Sequence, residues 1–513
     1  MKYFLGLDNG GTNTKAVLYT QLGEEVGSAS VDTAMKTPRP GFTERDMDEM
    51  WDANCSIIRR VISETGIEPK EIAGIAVCGH GKGLYLWGKD NKPAYHGIIS
   101  TDNRAWEYVQ RWKQDGTEQA VFNISYQHIL ACQPVALLAW LKDNQPEVLK
   151  NAWWIFECKD YVRFRLTGKA MAEITDYSGA NFINLKTRQY DRELLKLFGL
   201  DELWAALPPL CNSTDACGYV TEEAAALTGL AAGTPVAGGM FDIDACAIAA
   251  NVVDEKHICM IAGTWSINEY PSKAAIRDGS VLMNSLFCNP DYYLIEESSA
   301  TSASNLEWFI RSLLPELEHA TRERSENLFD ELNAWVNSIQ PQEFCPIFLP
   351  FLMASNVHPN AKGSFVGISG YHTRKHLVRG IYEGIAFSHR YHLEKLLKTR
   401  ATAPESIRLA GGVTNSRVWS QMFADVMQLP VETVAVREAG ALGCAITAAV
   451  AVGAYRDLNE AASKMTSIQS VFYPDVKAVP AYDRKYALYL KVINALDCVW
   501  PDIQKNIEGD SRA

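Results

Sequence analysis

Apolar residues first gather in Tyr3-Phe4-Leu5-Gly6-Leu7, a run that ends in Asp8. The chain then passes through Asn9-Gly10-Gly11-Thr12-Asn13-Thr14 and turns apolar again at Ala16-Val17-Leu18-Tyr19. Two apolar runs around a glycine turn predict a β-hairpin. Glu25 to Val31 reads as a further strand. Met47, Met50, Trp51, Ile58, Val61 and Ile62 recur at helical spacing until Gly66. Ile72 to Val77 is a short apolar strand that leads into His80-Gly81-Lys82-Gly83. This alternation predicts an α/β fold and not a bundle or a sandwich.

The opening pattern has an echo. Ile258-Cys259-Met260-Ile261-Ala262 runs into Gly263-Thr264-Trp265-Ser266 and a second extended segment. A third glycine turn, Gly411-Gly412, follows the strand-like Ile407 to Ala410 and precedes a helix from Arg417 to Met427. Strand, glycines and helix N-terminus suit an anion or a nucleotide edge. The paired hairpins predict two related domains, each giving a phosphate loop to a cleft between them. The expected division is 1–248, 249–455 and a helical tail, 456–513. The small-residue run Gly440 to Tyr455 reads as a packed core helix, being shorter than the ~20 residues of a membrane span. No G-x-x-x-x-G-K-[ST] motif occurs, so this is not a P-loop protein.

With 513 residues the chain exceeds one core and calls for at least two domains. Hydrophobic residues at 47% and charged residues at 21% fit a globular protein. The net charge of −12 excludes a general nucleic-acid surface, so phosphate must be held by backbone amides, hydroxyls, metal or a few local cations. The twelve cysteines form no C-x-x-C pair and no zinc spacing, which fits small apolar residues in a reducing compartment. No secretory signal is evident at the N-terminus. A cytoplasmic protein without membrane or nucleic-acid partners is expected. The tryptophans Trp51, Trp153, Trp154 and Trp308 are expected as core aromatics.

Glycines such as Gly10 and Gly11 let backbone approach an anion, and successive N–H groups can line a phosphate concavity. Asp8 at its mouth would repel a bare phosphate but suits a hydrated Mg²⁺ escorting one.

These segments resemble the FGGY carbohydrate kinases. The resemblance runs nearly end to end, through Asp8-Asn9-Gly10-Gly11-Thr12, Pro40-Gly41-Phe42-Thr43-Glu44-Arg45-Asp46 and Asp102-Asn103-Arg104. It continues in Lys159-Asp160-Tyr161 to Leu166-Thr167-Gly168, Gly263-Thr264-Trp265-Ser266, and Gly411-Gly412 through Trp419, Gln421, Ala424 and Asp425. The family's C-terminal signature corresponds to Gly363-Ser364-Phe365-Val366-Gly367-Ile368, His376-Leu377 and Gly380-Ile381-Tyr382-Glu383. Gly380 stands where Ala or Ser is usual, a change expected to cost little, and Leu137 stands where the family usually has lysine.

The resemblance implies a two-domain hexokinase/actin-like ATPase (ribonuclease H-like) fold with an interdomain cleft. The implied activity is transfer of the γ-phosphoryl group of ATP, with Mg²⁺, to a small ketose, L-xylulose foremost, and family precedent is a homodimer. Another pentulose, a polyol or an aldonate is the alternative substrate, which the charge of Lys82 would favour, and a non-catalytic sugar-binding protein on the same fold is the further alternative. The resemblance makes Asp242 the catalytic base and, with Asp8, a metal-site residue. Asp244 is its rival, and a helix N-cap is a further role for Asp242. Gly10, Gly11, Thr12, Asn13 and Thr14 would hold the phosphates from one side, with Gly263 and Thr264 from the other. Gly411 and Gly412 would lie against the nucleotide, Asn415 would read the adenine edge, and Ala303 and Glu307 would line the same pocket. His80, Gly81, Lys82, Asp102, Arg104 and Asp242 would meet the sugar. The loop lacks the Gln-Arg-Glu of glycerol kinases and the Met-His of D-xylulose kinases.

Overall fold

A computed structural model of the chain describes residues 2–353, 355 and 357–510. Two compact units emerge. The first comprises Met1–Glu255, Pro271–Ile295 and Ala435–Ser467; the second comprises Lys256–Tyr270, Glu296–Val434 and Ile468–Ala513.

The first unit is built on a mixed sheet. The predicted hairpin forms from strands Tyr3–Asn9 and Asn13–Thr20, and Glu25–Asp32 continues it on the outside. Strand Ile72–Gly79 lies parallel to Tyr3–Asn9, and Pro235–Ala237 and Met240–Phe241 lie parallel to Ile72–Gly79 on its other side. Alternation along the first strand decides what each face meets. Leu5 and Leu7 pack in a cluster with Met47, Met50, Ile58 and Val61 of helix Met47–Thr65. That helix starts where the Asp46 carboxylate accepts the N–H groups of Asp48 and Glu49, and it stops at Gly66 in the left-handed region.

Gly6 turns to the opposite face and meets helix Ala439–Ala451, the predicted small-residue helix. A Cβ on Gly6 would sit 1.9 Å from the Ala441 carbonyl oxygen. The helix is hydrophobic nearly all round and its small residues let backbone lie on backbone. By its contacts this segment belongs with the first unit, and not with the stretches that flank it in sequence.

In the second unit, strand His257–Ala262 pairs antiparallel with Ser266–Ser272 and parallel with Ser406–Ala410. Val431–Val434 and Ile468–Phe472 extend the sheet. Helix Val479–Leu496 is tied to the long helix Arg374–Lys398 by Arg390–Asp483 (2.7 Å) and Lys485–Glu383 (2.8 Å).

Two expectations need correction. Trp51 is a core residue, but Trp153 and Trp308 are exposed. Trp153 stacks on Trp154 instead, with ring centroids 5.7 Å apart. Gly380 is not a cheap small-for-small change either. A Cβ there would stand 2.4 Å from the Pro346 carbonyl oxygen, a backbone atom that cannot rotate away.

Candidate active site

The parallel strands of the first unit end together. Asn9 pairs with Gly79 and Gly79 with Phe241, so Gly10, His80 and Asp242 leave the same end of the sheet side by side. The carboxyl ends of parallel strands are where open α/β sheets bind ligands. The His80 N–H donates to Asn9 O at 3.0 Å and fixes the second loop against the first.

Asp242 is half-buried and opens helix Asp242–Ala249, with Phe241 at the cap position. Asp242 is therefore not the N-cap of that helix but the residue after it. Burial pushes its carboxyl well above the usual range, Asp8 and Asp176 add repulsion, and Lys82 opposes them. Asp8 is half-buried too, and burial raises it while Lys15 pulls it down. Lys15 is itself held by Glu438 at 2.6 Å. A Cβ on Gly440 would meet Asp8 Oδ2 at 2.6 Å, so the helix start is bare where it faces this carboxylate. Two half-buried carboxylates, one of which raises the proton affinity of the other, offer hard oxygen donors of the kind that fit a divalent cation. Asp244 is different. It is fully buried, and its Oδ1 accepts the Cys288 N–H at 3.0 Å, so it serves the interior and does not compete for Asp242's place.

The first turn is latched from behind. Arg45, 1% exposed, donates through Nη2 to the Gly10 carbonyl at 3.1 Å and to the Gly11 carbonyl. Thr12 is exposed, and Asn13 Nδ2 donates to Asp32 at 2.8 Å. Thr14 departs from expectation. It is fully buried with its hydroxyl enclosed, so that group does not face a phosphate.

The second loop is close-packed. His80 is buried, its Nε2 lies 2.8 Å from the Tyr85 hydroxyl, and burial lowers its pKa to about 3, so the ring is neutral. Gly81 lies on the Phe241 ring. Lys82 takes a left-handed φ of 64° and sets its Nζ 5.1 Å above the centre of the same ring.

Asp102 and Arg104 correct another expectation. Arg104 Nε donates to Asp102 Oδ1 at 2.9 Å, and Nη2 donates to Asp102 Oδ2 at 2.8 Å and to Glu44 at 2.8 Å. Asp102 also accepts the Thr43 N–H at 2.6 Å, and Arg104 lies 4.2 Å over the Phe42 ring. Both side chains are fully enclosed. They hold the loop together and present no free polar atom to a sugar.

In the second unit, strands His257–Ala262 and Ser406–Ala410 are parallel neighbours, so Gly263 and Gly411 also leave one sheet end together. Gly411 has φ of 92°, and a Cβ on it would meet Ala262 O at 2.5 Å. The Ala303 N–H donates to Gly263 O at 2.8 Å and Ser304 Oγ to Thr264 O at 3.2 Å, which brings helix Ser304–Leu313 to the turn. Thr264, Gly412, Asn415 and Glu307 are exposed around it, and Ala303 is half-buried. This is an open glycine platform with a helix N-terminus beside it.

The models of the FGGY family of carbohydrate kinases match the chain as an N-terminal domain over residues 3–249 and a C-terminal domain over 258–452. The chain belongs to this family. Among similar proteins, the L-xylulose/3-keto-L-gulonate kinase of Escherichia coli (strain K12) is 37% identical over 497 residues, 96% of this chain and 97% of the relative. A probable L-xylulose kinase of Haemophilus influenzae is 36% identical over 97% of this chain and 99% of its own length. The ligand-bound crystal structure of a xylulose kinase from Lactobacillus acidophilus superposes with a TM-score of 0.88 at 26% identity, covering 98% of this chain and 100% of that one. The protein is a carbohydrate kinase, and among the described residues no helix is long and apolar enough to cross a membrane.

The kinase also holds a charged core that the sequence reading left without a role. Glu157, Asp160 and Asp176 lie together, fully buried, with the geometry of a metal trap. Lys159 fills it. Its ammonium is 3.0 Å from Asp160, 3.0 Å from Asp176 and 3.5 Å from Glu173, and Arg163 adds a bond to Asp160 at 2.6 Å. Burial and Asp176 push the Glu157 carboxyl well above its ordinary range. Lys159, Asp160 and Arg163 were visible as a family segment, and Arg45 as another. Nothing local in the sequence says that Arg45 reaches Gly10.

Proposed function

We propose that this kinase transfers the γ-phosphoryl group of ATP to a hydroxyl of a small ketose, L-xylulose first, with Asp242 as the base. The observation that carries the reading is Asp242's position, beside Asp8 and the Lys82 loop at the carboxyl end of the first sheet. An acceptor alcohol seated there would lose its proton to the Asp242 carboxylate as the phosphoryl group arrives. The raised proton affinity of that carboxylate suits it to the task. Asp8 and Asp242 would hold Mg²⁺, which supplies charge neutralisation for the phosphates. Gly10, Gly11, Thr12 and Asn13 would line the phosphates with backbone and polar groups. Gly263, Thr264, Gly411 and Gly412 would take the nucleotide, with Asn415, Ala303 and Glu307 at its rim. Most of the rate enhancement then falls to positioning and electrostatics.

L-xylulose is favoured because two relatives that match nearly the whole chain carry that name. One observation supports a second reading, a keto sugar acid. The Lys82 ammonium is set over Phe241, next to the base, where it could meet a carboxylate. A coupled ADP-release assay over pentuloses, hexuloses, polyols, aldonates and keto-aldonates tests both. The highest kcat/KM on L-xylulose supports the first reading. A preference for a carboxylated sugar supports the second, and ADP release without any sugar dependence overturns both.

A further inference from the structure

The segment that delivers Asp242 is pinned from several sides, and Arg163 Nη1 donates to the Gly238 carbonyl at its start. Gly238 N–H donates to Asp215 O at 2.9 Å and Gly239 N–H to Ser213 O at 3.1 Å. Both are backbone bonds, made at glycines where a Cβ would strike the Asn212 and Val77 carbonyl oxygens. A side chain makes the bond nearest the carboxylate: Phe241 N–H donates to Thr175 Oγ1 at 3.0 Å. It fixes the residue immediately before Asp242.

Thr175 has no freedom to do otherwise. Its hydroxyl proton goes to Glu173 Oε2 at 2.7 Å, which leaves its lone pairs for Phe241. Glu173 is surrounded by donors. Its Oε1 accepts the Thr175 N–H at 3.1 Å and the Ser213 hydroxyl at 2.7 Å, and Lys159 stands 3.5 Å from Oε2. Lys159, Glu173 and Thr175 are fully buried. The run Lys159, Glu173, Thr175, Phe241 N–H is thus a rigid polar strut from the charged core to the base.

We propose that Thr175 is a positioning residue for Asp242, holding the Phe241 peptide so that the carboxylate meets the acceptor hydroxyl. The inference rests on the reading of Asp242 as the base. Misplacing a catalytic group by a fraction of an ångström costs turnover while leaving substrate affinity in place. The buried charges of Lys159 and Glu173 serve this geometry, which explains why so costly a cluster stands beneath the site.

Three variants test it in the full-length enzyme: Thr175→Val, which keeps the shape and loses the hydroxyl, Thr175→Ser, which keeps the hydroxyl, and Asp242→Asn. Thr175→Val should lower kcat by about tenfold or more with the sugar KM unchanged, and Thr175→Ser should restore most of kcat. Wild-type kcat in Thr175→Val, or equal impairment in Thr175→Ser, overturns the proposal. If Thr175→Val does not fold, Ser213→Ala decides through the next link, Ser213 to Glu173. It should lower kcat several-fold at constant KM, and an unchanged kcat overturns the proposal. An inactive Asp242→Asn beside a fully active Thr175→Val refutes the strut alone, whereas an active Asp242→Asn refutes the base itself.

Discussion

Gly81 and Phe241 touch so closely that a Cβ on Gly81 would fall 2.1 Å from Phe241 Cε2. The loop His80 to Gly83 therefore rests directly on the residue that precedes Asp242. Gly81→Ala should displace Phe241 and with it the base, lowering kcat strongly while the protein still folds. Gly263→Ala is the control, because a Cβ there meets nothing within 4 Å. Its stability should stay within about 0.5 kcal/mol of wild type. Its KM for ATP should nonetheless rise if phosphate approaches that backbone, and steady-state kinetics with thermal melts separates the two effects.

Asp242→Asn keeps shape and removes the proton acceptor. Turnover should fall by ~10²–10⁴-fold, the usual contribution of a positioned base. Sugar and nucleotide affinity, read by calorimetry, should change little.

Arg104 is expected to matter for stability before catalysis. Arg104→Met would leave the buried Asp102 and Glu44 carboxylates without the cation that pairs them, at a cost of about 3–5 kcal/mol. Urea unfolding should show this loss. A variant of wild-type stability with a raised sugar KM would instead give Arg104 a ligand role.

Stability should also fall on the acid side of neutrality. His80 and His389 are both held neutral by burial, with pKa values lowered to about 3, whereas the unfolded chain takes up their protons near 6.5. The unfolded state thus binds more protons between these values, and each ring's contribution, complete above about pH 6.5, is lost as pH falls towards 3. His389 also bridges Asn268 and Ser302, at 2.9 and 3.0 Å. In His389→Gln the drop in urea midpoint between pH 7 and pH 5 should be smaller than in wild type.

The elements with strong local pattern were legible in the sequence. The hairpin around Gly10 and Gly11, the helix closed by Gly66 and the strand ending at Gly79 all carry their own period and punctuation. So did the family, because its glycine turns stand in order along the chain. What escaped was partnership. Asp102 and Arg104 read as two candidate sugar ligands, but each satisfies the other. Thr14 read as a phosphate ligand because hydroxyls near glycines suggest one, yet strand alternation turns its side chain inward. Trp153 looks like a core residue by type and is exposed by position. The reach of Arg45 to Gly10 and of Thr175 to Phe241 depends on tertiary folding that no local spacing encodes.

The helix Ala439–Ala451 covers one face of the strand that opens the chain. A ribosome emits that strand more than four hundred residues before the helix. Until then Gly6 and its neighbours lack their lid, and the nascent N-terminal half must wait, sticky and unfinished, for residues hundreds of positions downstream. Such long sequence separation slows folding. The amino-terminal lobe expressed by itself would thus be a ward for chaperones, not an independent domain.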